Sequence, residues 1–232
     1  AQNFVGSNNI NLFEPNGQFG TRLQSGSDSA SERYIFTQLN KLTRLIYRPE
    51  DDAVLTYLDD DGQSVEPIYY VPVIPMVLVN GTKGIGTGFS TEIMCYSPTQ
   101  IIAYLRHKLM GAMEASAPAP TIEPFYKNFR GEIRRVGDSK YLLKGCYTIL
   151  DEKKVRITEL PIGTWTDNYK KFLENLIEPP AGSKDKDGAA SSAPIVKEYN
   201  DMSTDTHVDI TVTMAANIIK TYSEKATEFE CN

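Results

Sequence analysis

The sequence has few of the residues that mark metal sites, disulfide frameworks or membrane spans. It contains three cysteines and two histidines in 232 residues. Cys95, Cys146 and Cys231 are far apart and odd in number, which favours a reducing compartment and matches no metal-ligand spacing. No apolar run has the length of a transmembrane helix, and no basic stretch followed by an apolar one marks a signal peptide. The composition is therefore that of a globular chain long enough to bury sizeable cores.

An excess of positive charge, the usual footprint of a DNA-binding protein, is also missing. The chain has 24 Lys and Arg against 30 Asp and Glu, a net charge of -6. The distribution is uneven, however, because basic residues outnumber acidic ones over residues 1–49 and 101–160. Acidic residues concentrate at 50–52, at 59–61 and in the last third. This pattern is compatible with a basic face that binds DNA, although charge alone does not predict one.

The dipeptide Arg33-Tyr34 follows a polar, glycine-rich stretch over residues 17–32. A tyrosine has an ordinary pKa near ~10, so it needs a cation or a base to act as a nucleophile. A neighbouring guanidinium can stabilise the phenolate and can bind a phosphate with its planar set of donors. Most tyrosines, however, are half-buried packing residues. The dipeptide thus indicates either attack on a phosphodiester or a structural pair.

Three stretches around this dipeptide make the chemical interpretation specific: residues 1–9 (Ala-Gln-Asn-Phe-Val-Gly-Ser-Asn-Asn), 17–22 (Gly-Gln-Phe-Gly-Thr-Arg) and 28–37 (Asp-Ser-Ala-Ser-Glu-Arg-Tyr-Ile-Phe-Thr). They resemble the active-site region of type IIA DNA topoisomerases of the eukaryotic topoisomerase II branch. The resemblance implies that Tyr34 is the tyrosine that links to DNA and that Arg33 stabilises the transition state. It also implies, less specifically, that Gln18, Arg22 and Lys83 contact DNA.

A second glycine-rich stretch, Asn80-Gly81-Thr82-Lys83-Gly84-Ile85-Gly86-Thr87-Gly88, fits no nucleotide-binding motif. Its composition predicts a loop, and a tight turn with no further role is the simplest interpretation. The topoisomerase II family has a matching loop whose isoleucine inserts between base pairs and bends the duplex. The resemblance therefore implies that Ile85 bends DNA, in the manner of an apolar wedge.

Local signals predict the remaining elements. Ser29-x-x-Glu32 fits a capping box, and the apolar positions at 35, 39, 42 and 46 have helical spacing, so a helix is expected with Tyr34 in its first turn. Anions are favoured at such a helix start. Ser97-Pro98 predicts a second helix start, with Gly111 as its stop. Further predictions are strands at 54–58 and 68–79, a strand meander over 131–158, a helix over 164–177, strands over 195–214 and a helix from about residue 215.

The resemblance covers nearly the whole chain and implies an α+β fold in two domains. Residues 1–70 would be the C-terminal half of a winged-helix domain carrying Tyr34, and residues 71–232 part of a mixed α/β tower domain. The segment 179–194 is low in complexity and is predicted to be disordered. Both ends of the sequence indicate an internal fragment of a longer protein.

The function that the resemblance implies is an ATP-dependent type II DNA topoisomerase. Such an enzyme breaks both strands of a duplex through 5′-phosphotyrosyl links, passes a second duplex and reseals the break. The resemblance also implies a homodimer that acts on double-stranded DNA. The implied location is the nucleus, and the alternatives are the mitochondrion or kinetoplast and a viral origin. Mg²⁺ and ATP would bind outside these residues, so the isolated fragment should be inactive. Two alternatives stay open: a non-catalytic winged-helix DNA-binding or scaffold module, and a bacterial protein similar to gyrase A.

Overall fold

The computed structural model describes residues 1–111, 118–138, 140–178, 195–215 and 218–220. Within them the chain has a mixed α/β fold of short elements. The strands are β1 (Phe13–Asn16), β2 (Phe36–Leu39), β3 (Tyr57–Asp60), β4 (Gln63–Pro67), β5 (Thr82–Gly86), β6 (Phe89–Ile93), β7 (Glu132–Gly137), β8 (Lys140–Lys144), β9 (Cys146–Ile149), β10 (Lys154–Glu159), β11 (Val196–Asp201) and β12 (Ile210–Met214). The α-helices are α1 (Thr43–Ile46), α2 (Met76–Val79), α3 (Pro98–Met110) and α4 (Thr166–Ile177), and Glu32–Tyr34 and Pro49–Val54 are 3-10 helices.

The chain divides into two compact units, of which the first comprises Ala1–Phe19 and Ala30–Lys127. Its described strands pair as three antiparallel two-stranded sheets, β1-β2, β3-β4 and β5-β6. The buried side chain of Asn9 holds distant parts of this unit together. Its amide nitrogen lies 2.9, 3.1 and 2.9 Å from the carbonyl oxygens of Val79, Tyr96 and Phe125, and its amide oxygen accepts a bond of 2.8 Å from the Lys127 N–H.

The second unit comprises Gly20–Ser29 and Asn128–Asn232. Its centre is an antiparallel sheet of order β11-β12-β10-β9 packed against α4. Alternation along β10 and β12 points Val155, Ile157, Ile210 and Val212 inward, and each is at most 5% exposed. Leu173 of α4 completes the core from the helical side. Burial of apolar area of this kind is the main source of stability for such a unit.

The predictions that rest on strong local signals are confirmed. Helix α3 begins after Ser97 with proline at its first position, and its C-cap is Gly111. Helix α4 lies within the predicted span 164–177. The strands predicted over 131–158 are present as β7 to β10, but β7 pairs with β8 and β9 with β10 in separate sheets, so they form no continuous meander. Strands β11 and β12 lie within the span predicted for strands. The segment 179–194 and most of the helix predicted from residue 215 lie outside the described residues.

The helix predicted to begin before Tyr34 is wrong. The chain forms only a single 3-10 turn there, and Ser31 at its N-cap makes no side-chain capping bond. Residues 36–39 then become β2, because they pair antiparallel with β1 in the register Phe13↔Leu39 to Asn16↔Phe36. Helical structure resumes only in the four-residue α1. The expected anion-favouring helix start at Tyr34 is therefore absent.

Three further predictions in the first unit are corrected. The apolar stretch 68–79 forms no strand but leads into α2, since Pro72 and Pro75 remove two of the N–H donors that a ladder needs. The glycine-rich stretch at 80–88 is not a loop but contributes β5 of a hairpin. The strand expected at 54–58 begins at Tyr57, after a 3-10 helix. The domain boundary predicted at residue 70 stays a prediction.

The ion pairs of Lys170 in the second unit should make the stability of that unit depend on pH. The ammonium of Lys170 lies 2.9 Å from a carboxylate oxygen of Asp167 and 3.2 Å from one of Asp201. The bond from Lys170 lowers the pKa of Asp167, and bonds from Ser203 and Lys170 outweigh burial to lower that of Asp201. A lowered folded-state pKa gives stability that is present above the unfolded value near ~4 and is lost as the pH falls through the folded value.

We therefore expect Lys170→Met to reduce stability at neutral pH by up to about 1 kcal/mol and to have a smaller effect below about pH 3. Denaturant unfolding of the chain at a series of pH values, followed by circular dichroism, measures this difference. An equal loss at every pH would mean that Lys170 contributes by packing and not by its charge.

Candidate functional site

Arg33 and Tyr34 lie side by side at the end of the 3-10 turn in the first unit. Bonds from the Tyr34 N–H to the Ser31 carbonyl (2.9 Å) and from the Ile35 N–H to the Glu32 carbonyl (3.4 Å) close this turn. Tyr34 is 69% exposed, and the guanidinium carbon of Arg33 is 5.7 Å from the centre of the Tyr34 ring. This is within the range of a cation–π contact. A phenol open to a large substrate thus has a permanent positive charge beside it.

The segment before the turn is brought against the segment after it. Gly17 has a φ of 111°, and a Cβ there would lie 2.9 Å from Cγ2 of Ile35, the residue after Tyr34. Only glycine accepts both this backbone conformation and this approach without strain. The carbonyl of the exposed residue Gln18 accepts a bond of 2.9 Å from the Ala30 N–H. Gln18 therefore lies in the first unit beside the segment that leads to Tyr34.

Ile85 and Lys83 share one face of the hairpin β5-β6. Gly86 pairs with Phe89, and Gly88 takes a φ of 77° in the two-residue turn between the strands. Ile85 is 93% exposed. Lys83 forms an exposed ion pair of 3.1 Å with Glu92, which contributes little to stability and can be exchanged for another anion. The hairpin therefore presents an apolar side chain and a cation close to its tip.

Arg22 is placed differently from the other residues that the sequence singles out. It belongs to the second unit, is 5% exposed, and its guanidinium makes a buried salt bridge with Glu159 at the end of β10. Oε1 of Glu159 also accepts a bond of 3.0 Å from the Leu160 N–H, and Oε2 accepts one of 3.3 Å from the Arg130 N–H. A guanidinium that is buried and paired is not presented to a DNA phosphate, so the geometry gives no support to Arg22 as a DNA contact.

Glu159 is the partner that sequence reasoning missed, although a signal for it was present. The inward positions of β10 run Val155, Ile157, Glu159, so the alternation places a carboxylate among apolar neighbours. A buried charge requires a partner of opposite sign. Which cation would supply it could not be read from the sequence, since 137 residues separate Arg22 from Glu159.

Among the described residues, no group of three or more His, Cys, Asp or Glu side chains could hold a metal ion. The described helices also include none that is both long and apolar enough to cross a bilayer.

Comparison with known proteins places these features in a family. The family model for the A subunit of DNA gyrase/topoisomerase IV matches residues 1–231. The chain belongs to this family of DNA topoisomerases. The chain is similar to eukaryotic enzymes named DNA topoisomerase 2. It is 51% identical to the protein of Bombyx mori over 92% of the chain, 50% to that of Drosophila melanogaster over 93%, and 45% to human DNA topoisomerase 2-alpha over 92%.

The structure is likewise similar to the DNA-binding, cleavage and re-ligation domain of Plasmodium falciparum topoisomerase II. The TM-score is 0.85 at 39% sequence identity, and the match covers 98% of this chain and 29% of that one. The chain spans only 13% to 14% of the length of the three curated relatives. It therefore corresponds to one part of a much longer type of protein.

Proposed function

We propose that the full-length protein carrying this sequence is a type II DNA topoisomerase and that this part of it cuts the duplex. The observation that carries the proposal is the exposed phenol of Tyr34 with the Arg33 guanidinium over its ring. The similarity to eukaryotic topoisomerases over more than nine-tenths of the chain supports it. The fold assignment that goes with it is a partial winged-helix domain over 1–70 and a partial tower domain over 71–232.

The proposed reaction is an exchange of one phosphoester for another. The Tyr34 oxygen attacks a backbone phosphorus, an O–P bond forms, and the bond from phosphorus to the 3′ oxygen breaks. The phenolic proton is lost and the 3′ oxygen gains one, which leaves a 5′-phosphotyrosyl link and a 3′ hydroxyl. Arg33 offsets negative charge on the phosphate as the bonds exchange. Because one ester replaces another, the reverse reaction reseals the strand without an external energy source.

Cofactors and partners follow from the same proposal. The full-length protein would use Mg²⁺ and ATP, each bound outside the residues of this chain. Mg²⁺ supplies electrophilic assistance at the phosphate when it is bound. Two copies of the protein would each cut one strand of a DNA duplex. The proposed compartment is the nucleus.

The hairpin β5-β6 is the proposed bending element. Ile85, at 93% exposure, would insert between base pairs, while Lys83 would exchange its pair with Glu92 for a phosphate. Gln18, beside the segment that leads to Tyr34, is a further proposed DNA contact. An exposed apolar residue on a slender ribbon fits the kind of wedge that kinks DNA by unstacking one base step.

Ile85→Ala in the full-length protein should reduce DNA bending more than it reduces DNA binding. An exposed substitution changes folding stability by no more than about 0.5 kcal/mol, whereas the DNA loses a contact that offsets an unstacking cost of a few kcal/mol. Energy transfer between dyes at the two ends of a bound duplex measures the bend, and thermal unfolding measures stability. Val54→Ala, another aliphatic residue that is 80% exposed, is the matched control and should change neither. A large drop in melting temperature with an unchanged bend would show that Ile85 is a packing residue.

Trapping with detergent tests the proposal as a whole. If Tyr34 links to DNA, then adding detergent and protease during the reaction should leave DNA ends attached to a peptide, and this attachment should survive about 1 M salt. A non-catalytic DNA-binding module would be released under the same conditions, because its contacts are electrostatic. Complete release by salt would therefore overturn the proposed activity.

A further inference from the structure

The tip of the hairpin β5-β6 exposes an apolar side chain on each of its two faces. Phe89 pairs with Gly86, and the next pair along the register contains Ile85. Adjacent pairs of a ribbon point to opposite faces, so Ile85 projects from one face and Phe89 from the other. They are 93% and 84% exposed, the two highest values among the large apolar residues that the structure describes. The proposed bending role involves Ile85 and Lys83 and leaves Phe89 without a function.

The Phe89 ring does not pack on the ribbon that carries it. An aromatic ring opposite a glycine can cover the bare backbone of that glycine. Apart from its chain neighbours, a Cβ at Gly86 would have one atom within 4 Å, the Phe89 carbonyl oxygen at 3.8 Å, and a Cβ at Gly84 would have none. The ring therefore lies clear of both glycines. A large apolar ring that is left in water on a narrow ribbon can bury itself against another surface.

The face that carries Phe89 is otherwise flat and uncharged. This Phe89 face comprises the residues at alternate steps of the register, which are Thr82, Gly84, Gly86, Phe89, Thr91 and Ile93. The only charged residues of the two strands, Lys83 and Glu92, pair with each other on the opposite face. DNA therefore meets no acidic side chain on the Phe89 face. The hydroxyls of Thr82 and Thr91 are of the kind that donate to phosphate and sugar oxygens.

The two glycines also make the ribbon thin beside Ile85. Apolar wedges that kink a duplex enter through the minor groove, which is about 6 Å wide in ordinary DNA. Side chains hold stacked sheets about 10 Å apart, so a ribbon with side chains on both faces fits such a groove poorly. Without a Cβ at Gly84 and Gly86, a sugar–phosphate strand can lie directly against the backbone of the ribbon. Phe89 then presents its ring to a sugar of that strand.

We propose, resting on the proposed bending of DNA by this hairpin, that the Phe89 face is a second DNA-contacting surface. Phe89 packs against a deoxyribose of the groove wall, next to the base step that Ile85 opens. The hairpin thus contacts the groove with both of its faces. The Phe89 contact adds affinity for the bent duplex and involves no charged side chain.

The first test is DNA binding and bending by the full-length Phe89→Ala protein, with energy transfer between dyes at the two ends of the duplex as the measure of the bend. The dissociation constant should rise about tenfold and the bend should decrease, because loss of an aromatic ring that packs on a nucleotide commonly costs this much. The slope of log affinity against log salt should stay unchanged, since no charge is removed. Phe89→Trp keeps a flat apolar ring and should retain the affinity within about threefold.

A second variant tests the Phe89 face without altering the ring. Gly84→Ala adds a methyl group where the folded hairpin leaves open space, at a backbone position without a positive φ. Its melting temperature should therefore equal or exceed the wild-type value, while the dissociation constant for DNA rises about threefold or more. Gly137→Ala is the matched control, because Gly137 lies in the two-stranded sheet β7-β8 and a Cβ there would meet only the Lys140 side chain, at 3.9 Å. It should leave DNA binding unchanged.

Two outcomes would overturn the proposal. The first is a folded Phe89→Ala or Gly84→Ala protein with the affinity and the bend of the wild type. The second is a lower melting temperature of Phe89→Ala with unchanged DNA binding, which would show that another part of the full-length protein covers the ring. A failure of the proposed function has a different signature, because the wild-type protein would then leave the duplex unbent or form no salt-resistant adduct, and the role of Phe89 would fall with it.

Discussion

Tyr34→Phe in the full-length protein should lower the yield of covalent protein–DNA adduct by at least about a thousandfold, while DNA binding without detergent stays within about twofold of wild type. The substitution removes only the hydroxyl that would attack the phosphate, and loss of a nucleophile removes the covalent path entirely. The ring remains, and so does its contact with the Arg33 guanidinium. Gel separation of detergent-trapped adducts on labelled DNA measures the yield.

A second tyrosine of equal exposure provides the control for this experiment. Tyr69 lies in the same unit and is 68% exposed, against 69% for Tyr34. Tyr69→Phe should leave the adduct yield unchanged. Adducts at a wild-type yield from Tyr34→Phe would eliminate Tyr34 as the nucleophile and would remove the basis of the proposed function.

Arg33→Lys should slow cleavage by about a hundredfold or more, although it preserves the charge. The planar guanidinium can donate two bonds to a phosphate at once, whereas an ammonium acts as a point charge on a different geometry. Loss of one preorganised donor to a developing charge commonly costs about 10² to 10³ in rate. The single-turnover rate constant at saturating DNA is the quantity to compare.

Arg48→Lys is the matched control for this variant. Arg48 is an exposed arginine of the same unit, and it pairs with Glu50 at 3.3 Å. Its replacement should leave the cleavage rate constant unchanged. A nearly full rate from Arg33→Lys would mean that Arg33 acts only through its charge or takes no part in cleavage.

The elements that the sequence predicted correctly are those whose ends are set by local chemistry. Ser97-Pro98 and Gly111 bound α3, and the inward alternation of Ile210 and Val212 marks β12. The helix expected from the capping box Ser29-x-x-Glu32 did not form beyond one 3-10 turn. Pairing with β1, which begins 23 residues earlier in the chain than β2, decided the structure of Phe36–Leu39. Long-range pairing of this kind leaves no trace in the local pattern.

The candidate site was likewise predictable only where it depends on local sequence. Arg33 and Tyr34 are adjacent in sequence, so their proximity in space required no knowledge of the fold. The exposure of Ile85 agrees with the expectation of an unpacked residue between glycines, even though the segment is a hairpin strand and not a loop. The environment of Arg22 depended on Glu159, and a pairing across 137 residues is a property of the folded unit alone.

Mapping the residue that carries the DNA is the most direct test of the central claim. Adducts trapped from the wild-type full-length protein on a short duplex would be digested with protease and nuclease, and the peptides would be sequenced by mass spectrometry. We predict a single modified peptide that contains Arg33 and Tyr34, with the nucleotide joined through its 5′ phosphate to the Tyr34 oxygen. A nucleotide attached to any other residue, or joined through a 3′ phosphate, would contradict the proposed role of Tyr34.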